Sequence, residues 1–244
     1  MIAAIPRDAW LAGDLLAADR VVHAAEDRGP VELRADDDLW EEVLLRYQRL
    51  LPVANGGSAT AAFLGVLRAH RARHDLSKPL VRADHDHARD TWQWTLRLVP
   101  GASVEVQLAA LLHDVERLES EADVRIEHRA ADYDAFKAAH AARGAELARA
   151  LVEGGPWDAG RVAALVARHE RPDDDPERRL LADADALSFF ALNSAGYLAW
   201  YGEAQTGRKV AWTLARLSPR ARPWLGRIRL PGPVRAALGA EVDR

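Results

Sequence analysis

The chain has 244 residues, with 33 Lys and Arg against 37 Asp and Glu, a formal net charge of -4, 49% hydrophobic residues and no cysteine. That length suits one large domain or a domain with helical extensions, and the balanced composition excludes disordered, collagenous and supercharged chains. Lacking cysteine, the protein has no disulfide, thiolate metal site, cysteine nucleophile or iron–sulfur cluster, so a metal would need nitrogen and oxygen ligands. The placement of the nine histidines therefore matters most. Mild acidity argues against phosphate-neutralising contacts with nucleic acid, and no run reaches the ~20 apolar residues of a membrane span. Arg7 and Asp8 follow Ile5-Pro6 where a signal peptide would need an apolar core. The expectation is a cytoplasmic protein with no membrane and no specific nucleic-acid partner.

In chain order, apolar residues recur at helical spacing and no segment alternates as a strand over more than a few residues, so the expected fold class is all-α. Residues 1–78 read as an N-terminal helical extension, with helices at Arg7–Ala25, Asp37–Leu51 and Ala59–Arg73 broken by Gly29-Pro30 and Asn55-Gly56-Gly57-Ser58. Residues 79–192 read as the core, with helices at Asp84–Leu98, Val104–Leu118, Tyr133–Val152, Ala159–Arg168 and Arg178–Leu192. Pro100-Gly101, Gly154-Gly155-Pro156 and Arg171-Pro172-Asp173 supply the stops. Residues 193–244 read as a C-terminal helical extension packing on the core, with helices at Ala195–Tyr201 and Arg208–Leu217 before a tail containing Pro and Arg.

Four histidines fall on separate core helices with apolar or small neighbours three and four residues away, which turns them inward. His87 shares a stripe with Thr91, Trp94 and Leu98; His113 follows Ala109 and Ala110; His140 lies with Phe136, Gly144 and Leu147; His169 follows Leu165 and Val166. Asp114 directly follows His113, and Asp185 lies with Leu181, Phe189 and Leu192. One inward histidine is ordinarily satisfied by a backbone carbonyl. Four imidazoles and two carboxylates in one core are different, because each unpaired polar group costs about 1–3 kcal/mol and a charge more. A metal ion takes the lone pairs, and imidazole with carboxylate suits iron, manganese, zinc, cobalt or nickel rather than calcium. Within Asp84-His85-Asp86-His87 only His87 shares the inward stripe, so His85 is expected at the helix-start surface. Asp183 rivals Asp185, since its stripe through Leu180, Leu187 and Phe190 is also apolar.

The ordered pattern His87, His113-Asp114, His140, His169, Asp185 resembles the HD-domain superfamily over residues 79–192. Leu108-Ala109-Ala110-Leu111-Leu112-His113-Asp114-Val115 is similar to its apolar run into His-Asp, and Leu181-Ala182-Asp183-Ala184-Asp185-Ala186-Leu187 to its closing Ala-Asp-x-Leu motif. The motif's register selects Asp185 and leaves Asp183 to orient a ligand histidine. The resemblance implies a helical metallohydrolase core in which His87, His113, Asp114 and Asp185 hold metal. His140 and His169 match the extra histidines of the dinuclear branch, with Asp114 bridging. The implied cofactors are two divalent or mixed-valent transition metal ions, iron or manganese favoured, with zinc, cobalt or nickel as alternatives.

Metal coordination lowers the pKa of bound water from about 16 to about 7, which supplies a hydroxide for in-line attack on phosphorus. The expected activity is hydrolysis of a phosphoester or phosphoanhydride in a small anionic, nucleotide-derived substrate, with Asp114 and His113 as the catalytic pair. Lys137, one turn before His140, Arg143, one turn after it, and Lys209 are the candidate substrate-binding cations, while Glu116-Arg117 stands where superfamily members often carry Lys. Two alternatives share the ligand set: a di-iron oxygenase cleaving a C–C or C–P bond, and a nucleotide-sensing module with a vestigial site. The intact ligand set argues against the last. A homo-oligomer is compatible with the sequence. Trp92, Trp94, Tyr197, Trp200 and Tyr201 read as packing ahead of base stacking, and the runs Asp36-Asp37-Asp38 and Asp173-Asp174-Asp175 as capping or solvent-facing charge.

Overall fold

The computed structural model describes residues 1–26, 28, 32–39, 43, 57–99 and 101–242. The fold is all-α. The expected breaks at Gly29-Pro30 and Asn55-Gly56, and all of the expected helix Asp37–Leu51 except residues 37–39 and 43, lie outside the described residues. In chain order the elements are β1 (Ile2–Ala4), α1 (Arg7–Leu11), α2 (Leu15–Glu26), β2 (Glu32–Arg34), α3 (Gly57–Arg73), α4 (Pro79–Leu98), α5 (Val104–Leu112), α6 (Arg117–Ser120) and α7 (Tyr133–Val152). They continue with α8 (Ala159–Val166), α9 (Pro176–Ser188), a π turn at Phe189–Asn193, α10 (Ser194–Arg216), a 3-10 turn at Arg222–Arg227 and α11 (Gly232–Val242).

Two compact units result: Met1–Leu51 with Ala186–Arg244, and Pro52–Asp185. These follow spatial neighbours, whereas the expected division into 1–78, 79–192 and 193–244 follows chain order. Helix α3 goes with the second unit because it packs on α5. In the first unit β1 and β2 pair in parallel, Ile2 with Glu32 and Ala4 with Arg34. The expected single helix Arg7–Ala25 is two, because Gly13 takes φ 81, a left-handed conformation cheap only for glycine, and Asp14 Oδ1 then caps α2 by accepting from the Ala17 N–H at 3.1 Å. The expected pair Ala195–Tyr201 and Arg208–Leu217 is the single α10, bent where Gly202 takes φ 75. The tail beyond it holds α11, which packs on α10.

The second unit is built on α5, whose sequence VEVQLAALL is apolar nearly all round and is buried from Val106 to Leu112. Ser103 caps it, accepting from the Val106 N–H at 3.3 Å. Around α5 pack α3, α4, α7 and α8, and Phe63, Trp92, Leu108, Leu112, Leu165 and Leu181 are core residues of one cluster. Burying each such side chain contributes about 1.5–3 kcal/mol. Trp92 is part of this core, its ring 5.2 Å from Phe63 and its Nε1–H donating to Gln107 at 3.2 Å.

Helix α9, which carries Asp185, is fastened at its start. Asp175 Oδ1 accepts from the N–H groups of Glu177 at 3.0 Å and Arg178 at 3.3 Å, and the Arg161 guanidinium of α8 grips the same carboxylate at 2.6 and 2.9 Å. Asp175→Ala is expected to lower stability by about 1–2 kcal/mol, read from urea unfolding, through loss of the cap and of Arg161's partner. An unchanged midpoint would contradict this account of the α8–α9 joint.

Candidate metal centre

His113 and His169 each stand just past a helix end. The His113 ring Nδ1 contacts the Ala110 carbonyl at 2.9 Å and the His169 Nδ1 contacts the Val166 carbonyl at 2.7 Å. In a continued helix those carbonyls would accept from the N–H groups four residues on; here each accepts an imidazole N–H, at Val166 together with the backbone N–H of His169 at 3.3 Å, and the helix stops. That is why the expected helix Val104–Leu118 ends at Leu112, with a tight turn before α6, and why Ala159–Arg168 ends at Val166. With Nδ1–H donating, Nε2 carries the lone pair and faces inward.

Six residues from five segments meet here. One ligand atom from each of His87, His113 and Asp185 lies within 4.8 Å of the other two, and the same holds for Asp114, His140 and His169. His87 Nε2 is 3.1 Å from Asp185 Oδ1, and His140 Nε2 is 3.0 Å from Asp114 Oδ1. His113 Nε2 is 3.8 Å from Asp185 and 3.7 Å from Asp114, joining the two groups, and His169 Nε2 is 4.0 Å from Asp114. The His113 side chain is 1% exposed, and its Nε2 is buried without a hydrogen-bond partner. A buried lone pair aimed between two carboxylates is a poor resting arrangement for a protein alone and a good one for a cation. The donor set of imidazole and carboxylate fits a transition metal, and these buried groups could hold a metal ion.

Electrostatics divides the histidines. Burial lowers His113 to about 4, so it is neutral at pH 7. Burial also opposes charging His140, but hydrogen bonds to Asp114 and Glu116 win and raise it to about 9. Burial likewise acts on His87, and Asp185 more than offsets it, raising the group above its ordinary value. Asp114 is held far below the carboxylate range despite burial, with the Arg117 guanidinium the largest opposing influence.

Several supporting residues lie outside the expected set. Glu116 Oε2 takes the Nδ1–H of His140 at 2.5 Å, as a carboxylate does behind a metal-bound histidine. Arg117 donates to Asp114 Oδ2 at 2.9 Å and to Glu127 at 2.9 Å, and bonds Glu121. Glu170 Oε1 lies 3.5 Å from His169 Nε2. Glu116, two positions after Asp114, and Glu170, directly after His169, are close to candidate ligands in sequence, but proximity alone could not say which way they turn.

The expected cations fare differently. Lys137 is buried, ion-paired with Glu170 and 3.6 Å from Glu127, so it joins the polar network beside His169. Arg143 is exposed and held by Glu119 and Glu146 at 3.0 Å each. Lys209 belongs to the first unit, where its ammonium lies 4.7 Å from the Trp212 ring and 5.7 Å from Phe189. His85 is buried rather than at a helix-start surface, because α4 begins at Pro79 and places it in the second turn. Asp183 is buried on α9. Trp94 is buried under Arg97, 4.8 Å from its ring, while Trp200 is 74% exposed. Arg7 pairs with Asp36 at 2.9 Å and Asp38 at 2.6 Å, as expected for solvent-facing charge.

Gly144 of α7 lets that helix approach the ligand turn. A Cβ there would sit 3.3 Å from the His113 carbonyl and 3.5 Å from Val166. Gly144→Val is expected to cost about 1–3 kcal/mol in urea unfolding and to weaken metal retention by displacing His113 from His140. Wild-type stability and metal content in this variant would refute the close-approach reading.

Among the described residues no helix is long and apolar enough to cross a membrane. Residues 67–238 match the model of a family described as a domain of unknown function, DUF4202. No curated protein and no solved structure matches the chain.

Proposed function

We propose that this chain, which belongs to the DUF4202 family, is an HD-domain metal-dependent hydrolase of a phosphoester or phosphoanhydride in a small anionic substrate. Two transition metal ions, iron or manganese favoured, would be held by His87, His113 and Asp185 and by Asp114, His140 and His169. The observation that carries the reading is the convergence of four imidazoles on two buried carboxylates, with His113 Nε2 buried and unpartnered between them. When bound, the metals supply acidified water and polarise phosphoryl oxygens.

The chain's own residues do the rest. Arg117 fixes Asp114 so that its Oδ1 faces His140 and His169, and Glu116 holds the His140 ring in the tautomer with Nε2 inward. Lys137 is the substrate-binding cation of choice, since its link through Glu170 reaches His169, and it would have to exchange Glu170 or Glu127 for the substrate anion. Arg143 would first have to leave Glu119 and Glu146.

The test is metal content of protein purified without chelator, with phosphate release from a panel of phosphoesters and anhydrides under strict anaerobiosis. Bound iron or manganese, turnover, and loss of both in His113→Ala are expected. Absence of transition metal, together with undiminished metal binding by His113→Ala, would overturn the site. Substrate-dependent oxygen consumption with a mixed-valent iron signal and no phosphate release would replace the hydrolase by an oxygenase.

A further inference from the structure

A second group of histidines lies in the same unit and takes no part in the centre described above. His70 lies in the last turn of α3, His74 directly follows that helix's last residue, and His85 comes from α4. Their ring centroids are 4.3 Å (His70 to His74), 5.2 Å (His74 to His85) and 5.6 Å (His70 to His85) apart, and all three residues are buried. We infer that His70, His74 and His85 form a second metal site, with nitrogen ligands only, that takes a zinc-like ion and ties α3 to α4.

Three observations support this. His70 Nδ1 and His85 Nε2 are buried with no hydrogen-bond partner, so one small cluster contains two orphaned imidazole nitrogens, each unfavourable if nothing occupies it. The Nδ1 atoms of His74 and His85 are engaged as in ligand histidines: His74 Nδ1 contacts the His70 carbonyl at 2.7 Å, which leaves the lone pair on its Nε2, and His85 Nδ1 faces Asp86 Oδ1 at 3.4 Å. The spacing also repeats. His74 and His85 stand 5.2 Å apart at 66°, close to the 5.2 Å and 72° of His87 and His113 in the six-residue centre. Burial lowers both His70 and His74, the latter to about 4, which keeps their lone pairs available at neutral pH.

The nitrogens of these three are not drawn within 4.8 Å of one another as those of the six are. Capturing an ion therefore requires the rings to turn inward, and His70 Nδ1 and His85 Nε2 have no hydrogen bond to lose. A carboxylate-free imidazole set favours zinc and copper over manganese, whereas a set including Asp114 and Asp185 accepts manganese. That difference separates the two sites experimentally.

Full-length protein, stripped with chelator and reloaded, is expected to bind one more ion per chain with zinc than with manganese. His74→Gln and His85→Gln should each lose that one zinc and keep the manganese content of the parent. Equal zinc content in parent and variants would overturn the proposal while leaving the six-residue centre untouched. If the variants fail to fold, crystals of the unaltered protein soaked in zinc decide it by anomalous scattering. A peak enclosed by the three rings supports the site, and a map with no peak there refutes it.

Discussion

Asp114→Asn is expected to strip the centre of its metal and to reduce phosphate release by roughly a thousandfold or more. Asp114 Oδ1 faces His140 Nε2 at 3.0 Å and His169 Nε2 at 4.0 Å, while Oδ2 lies 3.7 Å from His113 Nε2. It thus meets three of the four imidazoles, His113 from one group and His140 and His169 from the other, so its charge serves both halves of the centre. Metal-supplied stabilisation of a phosphoryl transition state amounts to several kcal/mol, and each 1.36 kcal/mol is about tenfold in rate. The amide keeps the volume but presents an N–H group where Arg117 needs an acceptor. Arg117 still has Glu121 and Glu127, so the fold should survive, and a near-native thermal transition would show that lost metal is not lost structure. Full metal content in this variant would remove Asp114 from the centre.

Metal binding is expected to release at least one proton per chain at pH 7, chiefly from His140 with a contribution from His87, and to tighten by about tenfold or more per pH unit on the way up to about pH 9. In the metal-free protein His140, raised to about 9 against burial by Asp114 and Glu116, is protonated at pH 7, and metal must displace that proton from Nε2. The sign for stability follows. The folded value lies above the unfolded value of about 6.5, so this contribution is complete below pH 6.5 and is lost as pH rises through about 9. Metal-free protein should therefore lose stability on the alkaline side where metal-loaded protein does not. Glu116→Gln should weaken metal affinity about 10–100-fold and flatten the pH dependence, because Glu116 is one of the two groups that raise His140. Calorimetry in buffers of different ionisation enthalpy measures the proton directly; no release at pH 7 would contradict the assignment of His140 as a ligand.

The six ligand candidates were legible because the four histidines and Asp185 have apolar or small neighbours three and four residues away, a pattern that sets direction without any knowledge of partners, and Asp114 directly follows His113. His85 was misread for the same reason. Its stripe depends on where α4 starts, and Pro79, not Asp84, is the first residue, since proline is tolerated at the first helical position. Helix ends at His113 and His169 were illegible because the imidazole N–H, a side-chain donor, takes a backbone carbonyl there. The breaks at Gly13 and the bend at Gly202 depend on left-handed backbone that glycine permits but does not compel.

By itself the sequence determined an all-α chain without thiol chemistry, in which four inward histidines and two inward aspartates require compensation for burial. Periodicity carries that information because it is local. Only the tertiary structure decided that these side chains converge in two groups, with His113 of one facing Asp114 of the other, that Glu116 and Arg117 bond His140 and Asp114, and that Lys137 is buried against Glu170. It also placed His70, His74 and His85 together. Those outcomes depend on angles between helices far apart in the chain, where a rotation of one helix by a residue redirects a ring by about 100°.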